Sequence, residues 1–227
     1  VFHAVSAFDV LNEMFIRSKF HFGIADEREL AGKMIDAVAQ DVYYKDEPQI
    51  WIFDRGFPSL SLIQKLLEHR LYFVMRVSSS FLKEVNAFRK SKYVDRVIHI
   101  EYSERRATQN HVHSDGISQF DLRCVRVKLP SGEDEILVTN LDRKDFPKRD
   151  IKEIYRLRWG IETGFNYLKN AVFVEEFVSK TENGLAQDYF VSLLVYNFAT
   201  CICGSMYPNI PKKENTSTRS IEELPPD

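Results

Sequence analysis

Tyr155, Arg158, Glu162 and Lys169 stand in the run IYRLRWGIETGFNYLKN at offsets of 0, 3, 7 and 14. On an α-helix these offsets fall within about 60° of one another, so a phenol, a guanidinium, a carboxylate and an ammonium share one stripe. Ile154, Leu157, Ile161, Phe165 and Leu168 form a second, apolar stripe roughly 90° around the same helix. The segment therefore reads as a single helix from about Lys148 to Lys169, with one face for a core and a polar face the core does not need. A carboxylate in that polar face suits a hard divalent cation, and the cations and phenol around it suit phosphate oxygens. The plainer reading is a solvated face with local ion pairs. Trp159 speaks against it, because it lies outside the apolar stripe, about 40° from Tyr155 on the wheel.

A carboxylate that holds a metal needs a second acid, and Asp54 is the candidate. It closes the short, nearly all-apolar run Gln49-Ile-Trp-Ile-Phe-Asp54, which suits a strand covered on both faces. Arg55-Gly-Phe-Pro-Ser59 then breaks the strand and opens a helix with Leu60, Ile63, Leu66 and Leu67 inward, followed by a buried strand over Leu71 to Val77. An acid at the carboxyl end of a strand in a strand–helix–strand series is the expected position for an α/β site. Upstream, Val1 to Phe22 alternates as a hairpin with its turn near Leu11-Asn12, and Asp26 caps a helix with Glu29 three residues on. From Ser78 to Asp142 the pattern turns β-rich, with strands over 94–100, 122–129 and 136–140. A second apolar helix covers Gly184 to Cys203, and the Pro, Lys, Glu, Thr and Ser composition from Pro208 onward predicts disorder.

The spacing Y-x2-R-x3-E-x6-K, with its RW and IE dipeptides, resembles the Y-R-E-K signature of DDE transposases encoded by bacterial insertion sequences. WIFDRGFPS resembles the second-Asp motif of the same enzymes, and AFDVLNE and VEEFVSKT resemble flanking segments of that branch. The resemblance runs in order from Val1 to Cys203. It implies an α/β fold, a ribonuclease-H-like mixed sheet with flanking helices and a β-rich insertion between the second and third catalytic acids. The division it implies is 1–77 and 143–205 for the catalytic domain, 78–142 for the insertion and 206–227 for a disordered tail. Asp54 becomes the second catalytic acid and Glu162 the third, both as metal ligands for two Mg2+ ions, with Mn2+ as substitute. Tyr155, Arg158, Lys169, Trp159 and Arg55 become DNA contacts, Trp159 by stacking on a base, with a pairing of Arg55 to Glu162 as the alternative for that arginine. The implied activity is DNA strand cleavage and strand transfer, with DNA as partner and a homodimer in the DNA complex, in the bacterial cytoplasm.

The family's first catalytic Asp has no counterpart in this chain. Asp9 is the early candidate, yet AFDVLNE matches the next strand instead. The chain also opens without Met in a strand-like run, so it reads as a fragment that lacks the first acid and the N-terminal region. The competing function is accordingly an inactive DNA-binding remnant of a truncated or decayed transposase. A glycosidase using Asp54 and Glu162 as its carboxylate pair fits less well, since Arg and Lys beside Glu162 suit phosphate better than sugar.

Composition narrows the remaining options. The 227 residues carry a net charge of −2, so there is no global basic field and DNA binding must rest on local charge. Between Lys148 and Lys169 six Lys or Arg face three Asp or Glu. Cys124, Cys201 and Cys203 lack a second pair for zinc, and His111-x-His113 reads as solvated loop histidines. The most apolar window, Tyr189 to Cys203, is fifteen residues long, short of the ~20 a membrane span needs.

Overall fold

A computed structural model describes residues 2–101, 119–129, 132–171 and 179–206. His111, His113, most of VEEFVSKT and the tail after residue 206 lie outside the described residues. The chain divides into two compact units. One contains the N-terminal hairpin, up to Leu30, and the described chain from Leu157 onward; the other contains Ala31–Arg156.

In the first unit β1 (Phe2–Asp9) and β2 (Met14–Phe22) pair antiparallel as a two-stranded sheet, from Phe2 opposite Phe22 to Asp9 opposite Met14. The turn is built by Asp9, whose Oδ1 accepts from the Leu11 and Asn12 amides at 2.9 and 3.0 Å and whose Oδ2 accepts from Asn12 Nδ2 at 2.7 Å. A two-stranded hairpin is marginal alone. It is held by an aromatic core in which Phe15, Leu168, Tyr189, Leu193 and Tyr196 are buried and Phe8, Phe20 and Phe165 pack around them. Asn197 explains itself here: its amide accepts from the Phe15 amide at 2.9 Å and donates to the Phe15 carbonyl at 2.7 Å, which satisfies the backbone of an edge strand. Tyr189 likewise reaches Ser6 and Ser18 at 2.8 Å each.

Helix α1 (Glu27–Ala39) starts where expected, with Asp26 Oδ1 accepting from the Arg28 amide at 2.8 Å. It buries Leu30, Ala31, Met34, Ile35 and Val38.

The second unit is a five-stranded mixed sheet in the order β3-β4-β7-β6-β5. Its strands are β3 (Ile50–Phe53), β4 (Tyr72–Arg76), β5 (Asp95–Glu101), β6 (Gln119–Lys128) and β7 (Asp134–Thr139). β3 and β4 run parallel around α2 (Leu60–Glu68), capped by Ser59, while the other pairs are antiparallel. The three β-rich strands between Asp54 and Glu162 therefore extend the β3–β4 sheet, with β7 paired directly to β4. In α2 Leu62 rather than Leu67 joins Leu60, Ile63 and Leu66 in the core. Helix α3 (Lys83–Lys90) was not expected from the sequence; its KEVNAFRK run buries only Val85 and Phe88 and has no side-chain N-cap, so it shows no strong helical signal.

Two arginines tie the edge of this sheet to its loops. Arg123 is 3% exposed, and it donates to both Asp95 oxygens and to the carbonyls of Leu141, Asp142 and Phe146. Arg126 donates to the carbonyls of Phe88, Arg89 and Ser91, closing the end of α3, and pairs with Asp134 at 2.9 Å. Removing the Arg123 guanidinium takes two hydrogen bonds from the Asp95 carboxylate, which keeps Arg143, and strands the carbonyls of Leu141, Asp142 and Phe146. Arg123→Ala is expected to lower stability by about 3–5 kcal/mol, read as a lower urea midpoint at unchanged slope.

Asp36 on α1 pairs with Lys65 at 2.6 Å and with His69 at 2.9 Å, both on or just after α2. Burial raises its pKa, but the hydrogen bonds and charges of Lys65 and His69 outweigh burial and the net shift is downward. Asp95 follows the same pattern, burial being offset by Arg123 and Arg143. A carboxylate depressed in the folded state contributes stability above its unfolded pKa of about 3.9, and that stability is lost as pH falls through the folded value. Stability is thus expected to keep falling with pH below about 4, and Asp36→Asn should flatten that acid limb in pH-dependent urea melts.

Candidate active site

The single signature helix expected over 148–169 is two helices. α4 (Lys148–Arg156) and α5 (Trp159–Ala171) are separated at Leu157-Arg158, where the Gly160 amide bonds the Leu157 carbonyl at 2.9 Å and the Ile161 amide the Arg158 carbonyl at 3.3 Å. These are tight three-residue closures. The cause is packing: Ile151, Ile154 and Tyr155 fill a core with Val74, Val125, Leu137 and Leu141, whereas Phe165 and Leu168 belong to the aromatic core under the hairpin. The stripe drawn through Tyr155 and Lys169 on one cylinder is therefore corrected, and the residues are placed by two elements.

Tyr155 is 9% exposed, a core residue of the sheet unit. Its hydroxyl donates to Asp54 Oδ1 at 3.2 Å. Asp54 follows β3, in line with the expected strand-end placement, and its side chain is 46% exposed. Arg76, at the end of the neighbouring strand β4, has a guanidinium nitrogen 3.9 Å from the same carboxylate oxygen. Arg76 is also paired with Glu135, a residue only 7% exposed. This Arg76–Glu135 pair escaped the sequence reading. Its one signal was an arginine closing the apolar run YFVMR in the strand parallel to WIFD.

Glu162 lies in the first turn of α5 and is paired with Arg158 one turn earlier. Arg158 is largely buried and its guanidinium lies over the Trp159 ring, 5.0 Å from the centroid. Trp159 itself is 62% exposed. Lys169 is exposed two turns further along α5. Arg55 is exposed beside Asp54, and Glu162 forms an ion pair with Arg158. Asp9, the early candidate for a first acid, has both carboxylate oxygens engaged by its own turn.

Gly164 and Gly160 show why α5 carries glycines on its hairpin side. A Cβ at Gly164 would sit 3.0 Å from the Phe8 ring, and one at Gly160 would touch Val10 at 3.5 Å.

The chain matches the Transposase DDE domain family over residues 1–198. It belongs to that family. It is 22% identical to the probable transposase for insertion sequence element IS5377 of Geobacillus stearothermophilus, over 76% of this chain and 43% of the relative. It is 26% identical to a protein of Sinorhizobium fredii named as transposase y4zB, over 64% of this chain and 40% of the relative. A Synechocystis protein named as a transposase for insertion sequence element IS4SA is 22% identical over 78% of this chain and 46% of its own length. The chain thus spans less than half the length of the relatives it matches. The mixed sheet with flanking helices is the architecture of a ribonuclease-H-like transposase domain. No described helix is long and apolar enough to cross a membrane.

DDE transposases generally use divalent metal ions. Asp54 and Glu162 offer the hard, partly exposed carboxylate oxygens such an ion takes. Among the described residues, however, no group of three His, Cys, Asp or Glu stands close enough to hold one.

The Tyr155 hydroxyl and ring have separable roles. Tyr155→Phe keeps the ring in its core and removes one long hydrogen bond, so stability is expected to change by no more than about 1 kcal/mol, whereas Tyr155→Ala should cost about 3–5 kcal/mol. Thermal melts of the two variants check the difference.

Proposed function

We propose that this chain is the catalytic-domain portion of a cut-and-paste transposase of the Y-R-E-K branch, acting in DNA strand cleavage and strand transfer. One observation carries the reading. The tyrosine of the signature and the aspartate of the DRGF motif, far apart in sequence, are joined by a hydrogen bond at the carboxyl end of β3. Neither residue needs the other for a generic fold, since Tyr155 is a core ring that Phe could replace and Asp54 could have remained a turn former.

Asp54 and Glu162 are the second and third acids, and they would hold the Mg2+ ions, for which Mn2+ can substitute. When bound, the metal supplies an activated nucleophile and stabilises the leaving oxygen. Tyr155, by donating to Oδ1, helps hold the partly exposed Asp54 carboxylate in place. Arg158, bonded to Glu162, orients that carboxylate and adds positive charge beside it for backbone phosphate. Lys169 contacts a phosphate further along α5. Trp159, exposed and backed by a guanidinium, offers a stacking face for an unpaired base. DNA is the partner, with a homodimer in the DNA complex.

The competing reading is that, alone, this chain binds DNA and does not cut it. The two readings meet in one experiment. In the transposase that contains this domain, Asp54→Asn and Glu162→Gln are each expected to lower strand cleavage by about 10³-fold or more while DNA binding is retained. Either variant cleaving near the parent rate would remove that residue from the catalytic set. The isolated chain is expected to leave plasmid DNA intact with Mg2+ or Mn2+. Nicking by it that disappears in Glu162→Gln would mean another residue supplies the third acid.

A further inference from the structure

Arg55 follows Asp54 off the end of β3, and Arg89 reaches the end of the neighbouring strand β4. β3 and β4 are parallel neighbours with Phe53 opposite Met75, so Asp54-Arg55 and Arg76-Val77-Ser78 leave the sheet side by side. Arg89 reaches the same edge from α3, where its Nη2 donates to the Val77 and Ser78 carbonyls at 3.2 and 3.3 Å. Its Nε is shielded from solvent and has no hydrogen-bond partner among the described residues. Arg55 is exposed, and among the described residues no carboxylate forms an ion pair with it or with Arg89.

Arg126 shows what a purely structural arginine looks like in this unit: it has an acid partner and four backbone carbonyls. Arg89 has two carbonyls on one nitrogen and a like charge beside it. Burial first, then the positive charges of Arg55 and Arg126, hold its guanidinium below the ordinary arginine range, although it stays charged. Two cations at one edge without a paired acid repel each other, and an anion lying between them reverses the sign of that energy. The turn after β4 adds hydroxyls: Ser78 and Ser80 lie 3.1 Å apart through their Oγ atoms, and Ser79 and Ser80 are exposed.

We propose that Arg55, Arg89 and the Ser78–Ser80 turn form a phosphate subsite that grips the DNA backbone beside Asp54. The inference rests on the transposase reading and deepens it, adding Arg89 and the serine turn to the contacts drawn from the signature. Contacts of this kind position the strand and carry no sequence information.

The test uses the full 227-residue chain and fluorescein-labelled duplexes of two unrelated sequences, followed by anisotropy across a KCl series. Arg55→Ala and Arg89→Gln are compared with Arg158→Ala, and Gln is chosen because its amide can still donate to the Val77 carbonyl. Each of the two subsite variants should weaken binding several-fold on both duplexes and lower the log–log salt slope by about one. Should Arg89→Gln lose its thermal transition, Arg55→Glu at unchanged melting temperature carries the same expectation with a larger loss. Unchanged affinity and slope in folded subsite variants, with binding weakened in Arg158→Ala, would overturn the subsite and leave the transposase reading standing. If neither the parent nor any variant binds DNA, the transposase reading falls and the subsite with it.

Discussion

The segment from Ile151 to Leu168 contributes to two cores, and its helix is interrupted at Leu157-Arg158 between them. Ile151, Ile154 and Tyr155 belong with the sheet, and Phe165 and Leu168 with the hairpin aromatics. Buried rings and branched chains each contribute roughly 1.5–3 kcal/mol, far more than the one or two backbone bonds lost at a helix break. Packing therefore decides, and the chain turns at Leu157-Arg158. The functional placement follows. Tyr155 is carried to Asp54 by its membership of one core, and Glu162 is set in the first turn of a new helix, where the positive end of the dipole favours a carboxylate.

Charge is handled in two ways in this chain, and the contrast separates scaffold from site. Arg123 is nearly inaccessible and uses its nitrogens on five acceptor atoms, so its desolvation is offset by bonds that fix the β5–β6 edge to the loop after β7. Arg158 and Arg89 are different. Each has a shielded Nε without a hydrogen bond among the described residues; Arg158 pairs with Glu162, and Arg89 holds the carbonyls that follow β4. Incomplete satisfaction of a guanidinium costs stability in a scaffold and is tolerated where a ligand completes the set.

Much of this was legible in the sequence because it was local. The hairpin, the Asp26 cap, the strand over Ile50–Phe53 and the run of β strands follow from period-two patterning and turn residues, all within a few positions. The helix break was not legible, because both halves of IYRLRWGIETGFNYLKN satisfy the same 3.6-residue period and only the identity of each core tells them apart. Helix α3 was missed for the opposite reason: two buried residues give almost no period, and what closes it is Arg126 from a distant strand. Arg76 with Glu135 was missed because the pairing of β4 with β7 is a long-range fact, invisible to any window.

The break also changes what a spaced signature means. A pattern such as Y-x2-R-x3-E-x6-K looks like a statement about one helical face, yet here only Glu162 and Lys169 lie on one helix, and Arg158 precedes it. What the spacing preserves is a set of short-range relations. Arg158 at four residues before Glu162 can reach it whether the turn is α-helical or tighter. Tyr155, one turn earlier still, points into the sheet core and finds the acid after β3. A net charge of −2 leaves no broad positive field, so any grip on a polyanion has to come from such placed cations. Their number is small, so each of them would carry a large share of any such grip, while the log–log salt slope, which scales with the number of phosphate contacts, would be shallow.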